Sequence, residues 1–329
     1  MTGRDLLVIP FQHPHHYRIC YVIAIPDLFV IAGPDLFVIA GPDRQFKFYK
    51  YQGAGNDFLI ADNRDASIIE KDGVLFCGDW SMKISDLCDR RYGVGADGLM
   101  LLETTEEHDF RMTYFNSDGS GGMMCGNGGR CIVAFAADRG ITNFDFIAAD
   151  GFHTAEIVSQ EGRGKVVRLK MKDVAGMDRY NALSGVSCPS KGCFLDTGTR
   201  HYVRFVDDLD NYDIVCEGRE IRYDALELQP IGANVNFVQP ADNMIKVRTY
   251  EKGVEDETFA CGTGIVASCI ASFNEGLTPT YIYKENARVR FDVQAKKDAL
   301  AVDFIPGDGG SAQDVWLTGP AVYVAEVNV

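Results

Sequence analysis

From residue 46 the chain alternates apolar and polar side chains in short runs punctuated by Gly, Asn and Asp. The run FKFYKYQ (46–52) repeats every second residue as a half-buried strand does, GAGND (53–57) supplies turn residues, and FLIA (58–61) resumes the strand. The same reading predicts strands over 99–103, 110–116, 144–149, 154–158, 165–171, 201–206, 233–239, 244–251, 288–293, 299–304, 314–319 and 321–327. Two segments break the rhythm. CGNGGRCIVAFAADRG (125–140) and CGTGIVASCIASFNEG (261–276) are each sixteen residues long, open on C-G-[NT]-G, run through small and apolar residues and stop at Gly. Each predicts a buried helix that begins at a cysteine. Many short strands with few helices make the fold class α+β.

The two helical segments also leave alike, as Gly-Ile-Thr and Gly-Leu-Thr. They share five identities in eighteen aligned positions, placed at the start and the two ends, where backbone geometry is most demanding. They read as an internal duplication 136 residues apart: two similar domains, each presenting one cysteine at the start of its own helix. The first 45 residues follow a different pattern, with PDLFVIAG given twice over 26–41. Two copies are too few for a solenoid. Residues 1–45 are expected to be a poorly ordered extension without a catalytic role.

Length and charge narrow the function. The 329 residues suffice for about two domains of roughly 150. Charge sums to −15 from 32 basic and 47 acidic residues, which removes the electrostatic basis for nucleic-acid or anionic-membrane binding. The longest apolar stretch, 19–41, is broken by two Pro-Asp pairs, against a spanning helix, and it lacks the basic flank of a signal peptide. Ten cysteines without a C-x-x-C pair argue against structural zinc and a disulfide scaffold, and for reduced thiols in a cytoplasmic protein. Cys77, Cys88, Cys131, Cys188, Cys193, Cys216 and Cys269 are expected to be buried core thiols.

Cys125 and Cys261 are different. A helix N-terminus carries roughly half a positive charge and free N–H donors, which favours a thiolate and seats a carboxylate. The glycines beside them let the backbone approach an anion closely. Two such sites facing each other suggest one thiolate to take a proton from a carbon and one thiol to return a proton on the opposite face. A cysteine hydrolase competes, but it needs a His and an orienting group beside one Cys and leaves the second helix unexplained. GVGADG (93–98) spells G-x-G-x-x-G, yet neither a strand before it nor a helix after it supports a dinucleotide site. The acidic run at 255–257 is read as a solvated loop and not as a metal site.

MMCGNGGRC (123–131), YEKGVEDETFACGTG (250–264), GAGNDF (53–58), YGVGADG (92–98) and FNSDGS (115–120) together resemble the diaminopimelate epimerase family, in the family's order and from about residue 46 onward. The resemblance implies two pseudo-symmetric domains, 46–170 with a C-terminal strand near 317–329 and 171–316, each a mostly antiparallel barrel-like sheet around a central helix, with the site between them. It implies a homodimer, a small amino-acid substrate, no cofactor and no metal. The implied activity is epimerisation of LL- to meso-diaminopimelate in lysine and peptidoglycan biosynthesis. By resemblance Cys125 and Cys261 are the acid/base thiols, with His201 and Glu251 beside them. Gly126, Asn127, Gly262 and Thr263 would hold the α-carboxylate, and Asn56, Asn116 and Asn234 other polar groups of the substrate.

Two positions depart from the family's pattern. Gly198-Thr199-Arg200-His201 stands where Gly-Asn-Pro-His is common, and Glu251-Lys252 where Glu-Arg is common. A hydroxyl replaces an amide, and an ammonium replaces a planar two-pronged cation. Thr199 and Lys252 are therefore candidates for distal recognition, with Arg200 able to compensate. A racemase of another amino acid, of the proline racemase type, and a weakened binding protein with the same fold are the alternatives.

Overall fold

The computed structural model describes residues 46–187 and 191–329 in full and, before residue 46, the backbone of three strands. Those strands, Tyr21–Ile25, Leu28–Gly33 and Leu36–Ala40, pair as an antiparallel meander in which the two octapeptide copies lie side by side, Phe29 opposite Ala40. The rest of the extension expected to be poorly ordered, and the expected core thiol Cys188, lie outside the described residues.

The main body is one β-fold used twice. Lys47–Gly53, Asn56–Asp62, Gly98–Glu103, Phe110–Asn116, Asp145–Ala148, Gly151–Glu161 and Gly164–Lys170 pair in that order: antiparallel, parallel, antiparallel, parallel, antiparallel, antiparallel. Gly192–Asp196, Arg200–Phe205, Asn234–Ala241, Met244–Glu251, Val289–Gln294, Ala299–Pro306 and Ala312–Asn328 repeat that order of pairings without change. The long last strand then pairs with Gly164–Lys170 and with Lys47–Gly53, which closes the first set into a ring of eight and joins the halves.

Parallel neighbours need a crossover, and the crossovers carry the helices. Among the described residues four α-helices accompany the strands: α1 (Ile84–Cys88), α2 (Gly126–Asp138), α3 (Ile214–Asp224) and α4 (Gly262–Asn274). In each half the second crossover is a central helix, α2 or α4. Every residue of α2 from 126 to 136 is buried, as are nearly all the corresponding residues of α4, so neither helix has a polar face to show in the sequence. Both end as expected at a glycine with positive φ, Gly140 at 83° and Gly276 at 86°. The first crossovers differ between the halves: α1 with a small sheet of Ile69–Lys71, Val74–Cys77 and Trp80–Lys83 in one, α3 in the other.

Two expectations are corrected. The segments read as strands 314–319 and 321–327 form one strand, Ala312–Asn328. Gly319-Pro320 looks like a turn, but pairing with Ala299–Pro306 ends at Thr318 and pairing with Lys47–Gly53 starts at Val322. Pro320 therefore sits where one edge has no strand partner, and its missing N–H breaks no ladder bond. Cys216, expected in the core, is exposed on the first turn of α3, where its backbone N–H donates to the Asp213 cap at 3.0 Å. Cys77, Cys88, Cys131, Cys193 and Cys269 are buried, as expected.

Candidate active site

Cys125 and Cys261 are the N-cap residues of α2 and α4, each with extended backbone. The Cys125 sulfur accepts the Gly128 N–H at 3.2 Å, the place a serine or aspartate oxygen fills in an ordinary cap. The Cys261 sulfur lies 3.5 Å from the Thr263 hydroxyl. The two helix starts meet head to head. A Cβ on Gly126 would lie 3.6 Å from the Gly262 Cα, a Cβ on Gly262 would lie 3.4 Å from the Gly126 Cα, and either would be 3.0 Å from Leu317 on the shared strand. Glycine at both positions lets the two positive helix ends abut without displacing Leu317. Both cysteines open into the same cavity of about 750 Å³.

Electrostatics keeps the thiols in opposition. Burial pushes the Cys261 thiol up to about 12 and also raises Cys125, and the Glu251 carboxylate raises both. Backbone N–H donors and, for Cys125, the Arg130 charge act the other way. Ionising one sulfur disfavours ionising the other. Burial, with Asp97 nearby, holds the Glu251 carboxyl above its ordinary range.

The remaining predicted residues gather here in distinct ways. Asn56, Asn116 and Asn127 line the cavity on one side, and Thr199, Asn234, Glu251 and Lys252 on the other. The amides are engaged within the protein. Asn127 donates to the Asn56 Oδ1 at 2.6 Å and to the Ala260 carbonyl at 2.9 Å, binding one half to the residue before Cys261. Asn56 in turn donates to Asp97 at 2.9 Å. Asn234 donates to the Arg200 carbonyl and accepts the Lys252 N–H at 2.8 Å, pinning two loops together. Asn116 donates to Ser120 at 3.0 Å. His201 is fully buried behind Thr263 and is not on the cavity wall.

Sequence reasoning missed Arg130 and Asp97. Arg130 is fully buried on α2 and donates to the Gly126 carbonyl, the Asn127 Oδ1 (2.8 Å) and the Pro320 carbonyl; among the described residues no carboxylate pairs with it. A lone charge in an apolar helical run was its signal in the sequence. Asp97 receives Asn56 and the Arg90 guanidinium, which also grips Asp57. Its signal was its place in the 92–98 motif. Among the described residues no cluster of His, Cys, Asp and Glu is arranged to hold a metal, and no helix is long and apolar enough to cross a membrane.

Comparison with known proteins gives the same grouping. The family model described as diaminopimelate epimerase matches residues 48–173 and 193–312. The chain is 42% identical over 286 residues to a diaminopimelate epimerase of Flavobacterium psychrophilum, covering 86% of this chain and 100% of that one. It is 38% identical over 290 residues to a diaminopimelate epimerase of Aquifex aeolicus, covering 85% and 96%. Among solved structures, a PhzF-family phenazine biosynthesis protein of Bacillus anthracis superposes with TM-score 0.62 at 14% identity, covering 87% of this chain and 99% of that one. A hydroxyproline epimerase of Agrobacterium vitis superposes with TM-score 0.58 at 13% identity, covering 87% and 91%. These structural likenesses establish the α+β fold, with its two barrel-like sheets around central helices. The sequence relationships, extending over nearly all of residues 46–329, establish that the chain belongs to the diaminopimelate epimerase family.

Proposed function

We propose that the chain epimerises LL-diaminopimelate to meso-diaminopimelate without a cofactor, Cys125 and Cys261 acting on opposite faces of one α-carbon. The observation that carries this reading is the abutment of Gly126 and Gly262, which aims two cysteine-capped helix ends into one cavity. In one direction a thiolate takes the α-proton and becomes a thiol, and the C–H electron pair moves into the carboxylate. The opposite thiol then delivers its proton to the other face and is left as thiolate. Reversal exchanges the roles.

The developing charge on the carboxylate is met by the first-turn N–H groups at Gly126-Asn127 and Gly262-Thr263, which have no intrahelical acceptor. At the distal end, the Lys252 ammonium faces the substrate's second amino-acid head, with Thr199 beside it and the amides of Asn56, Asn116 and Asn234 shaping the wall, while the Glu251 carboxyl stands nearer the two thiols. A reducing, cytoplasmic setting is supported by the eight described cysteines all being free. The homodimer implied by family likeness is read directly by sedimentation. In deuterium oxide, the reduced protein is expected to place deuterium at the α-carbon of LL-diaminopimelate as the meso isomer appears. Absence of both exchange and meso product overturns the reading.

A further inference from the structure

The polar chain behind Cys261 has a direction that can be worked out atom by atom. The Asn236 side chain is buried, with its Nδ2 at 3.2 Å from the Tyr202 carbonyl and 3.1 Å from His201 Nδ1, and its Oδ1 receiving the Thr249 hydroxyl at 3.0 Å. A carbonyl only accepts, so the atom facing Tyr202 must be the NH₂ group, and its second hydrogen points at His201 Nδ1. That ring nitrogen is therefore an acceptor, and the proton of the neutral imidazole sits on Nε2. Gly264 keeps this arrangement in place, because a Cβ there would lie 2.2 Å from the Asn236 Oδ1.

His201 Nε2 faces two hydroxyls, Thr199 at 2.9 Å and Thr263 at 3.0 Å, and the Thr199 hydroxyl donates to Thr263 at 3.0 Å. With the imidazole acting as donor and Thr199 donating as well, the Thr263 oxygen is already an acceptor. Within the protein, its own hydrogen has the Cys261 sulfur, 3.5 Å away, as its remaining partner.

We infer that Thr263 is a hydrogen-bond donor to the Cys261 sulfur, and that His201, locked by Asn236, is a positioning residue that turns this hydroxyl toward the thiol and is not itself a proton acceptor. The hydroxyl then favours the charged form of Cys261 whenever that sulfur is the base. Thr199, one of the two departures from the family's pattern, belongs to this relay and not to distal recognition alone. Burial also holds the His201 imidazolium form far below neutrality. The titratable groups facing the sulfur are Glu251 and Cys125, both present in every variant below.

For its catalytic consequence the inference rests on Cys261 being an acid/base thiol; the bonding itself does not. The test is twofold. In protein labelled with ¹⁵N-histidine, with His201 assigned by its absence in His201→Gln, the ring is expected to show the neutral Nε2–H tautomer unchanged from pH 5 to 8. The rate of Cys261 alkylation by iodoacetamide, followed by peptide mass spectrometry, is expected to shift to higher pH by about one unit or more in Thr263→Val and to return in Thr263→Ser. An Nδ1–H tautomer, titration of His201 within that range, or a Thr263→Val profile that coincides with the parent overturns it. Neither readout uses diaminopimelate, so failure of the epimerase reading leaves both intact.

Discussion

Replacing either thiol by serine separates chemistry from folding unusually well at this site. Cys125 already caps α2 through its sulfur, 3.2 Å from the Gly128 N–H, and serine is among the preferred caps. Cys261 makes no cap bond with its side chain, so a serine there adds a possible one. Stability should change by no more than about 1 kcal/mol, and upward where it changes. The chemistry should collapse, because a hydroxyl at neutral pH is neither an adequate base nor an adequate acid for this carbon. A positioned acid or base contributes about 10²- to 10⁴-fold, or about 2.7 to 5.4 kcal/mol of barrier. Each single-thiol variant still has one sulfur on one face. Proton NMR in deuterium oxide should therefore find Cys125→Ser washing out the α-hydrogen at centres of one configuration only, with retention, and Cys261→Ser at centres of the other. The double variant should be little worse than the poorer single one, since the pair acts as a unit. If both single variants exchange the same centre, or if either epimerises within tenfold of the parent, the two-face arrangement is wrong.

Arg130→Met should leave the urea midpoint nearly in place, because relief of burying an unpaired charge and the loss of three acceptors' partner are of similar size. Cys125 alkylation should nevertheless move to higher pH; a large loss of stability with an unmoved thiol would make Arg130 purely structural. Gly262→Ala should destabilise by about 1–3 kcal/mol by overpacking, with partial rescue by Leu317→Ala, whose nearest atom is 3.0 Å from the new Cβ; thermal melts that show no rescue refute the contact. Lys252→Arg should lower KM for diaminopimelate at similar kcat by restoring a planar grip, whereas Arg200→Ala with unchanged KM would exclude Arg200 as a carboxylate donor. His201 has a folded-state pKa of about 3 against an ordinary 6.5, so the unfolded chain binds the proton first as pH falls. This contribution to stability is full above about pH 6.5 and declines by about 1.4 kcal/mol per pH unit toward pH 3; between pH 6 and 5, His201→Gln should unfold with a shallower acid slope than the parent, and equal slopes would contradict the burial argument.

The barrel strands that alternate against one buried face were legible: the predicted 110–116 and 244–251 coincide with Phe110–Asn116 and Met244–Glu251. Gly98–Glu103 and Asn234–Ala241 were legible instead as short apolar runs, being buried over most of their length, and the five-residue strand Gly192–Asp196 was missed. The central helices were legible from their ends, a cysteine and two glycines, although their bodies lack amphipathic period. The elements of the first crossovers were not. In α3 only Ile214, Gly218 and Ile221 are buried, too narrow a stripe to stand out among charged residues, and the small sheet at 69–83 exposes Ile69 and Trp80. At the site, residue types announced the thiols, but not the work of the amides. Asn127 bonds to Asn56 and to the Ala260 carbonyl, and Asn234 to the Arg200 carbonyl and the Lys252 N–H, which is a matter of long-range pairing that no local spacing encodes. For the same reason His201 reads as a neighbour of the thiol in sequence logic and proves to lie one hydroxyl behind it.

The two halves share their order of strand pairings, and yet the cysteines they present are not equivalent. Behind Cys125 stands the buried Arg130 guanidinium, tied to the first two residues of α2; behind Cys261 stands a neutral run of hydroxyl, imidazole and amide. Duplication accounts for the convergence, since a fold that threads each half on a helix starting at Cys-Gly brings both positive ends to one point. It does not require the surroundings to remain matched. The LL and meso forms of the proposed substrate are diastereomers, so on that reading the unreacting half meets the same Lys252 side of the cavity whichever configuration the reacting carbon has. Equal environments at the two sulfurs would then give no means of balancing protonation between faces that the substrate itself makes unequal. A fixed charge behind one thiol and an oriented hydroxyl beside the other supply that adjustment separately, without disturbing the glycine contact on which their opposition depends.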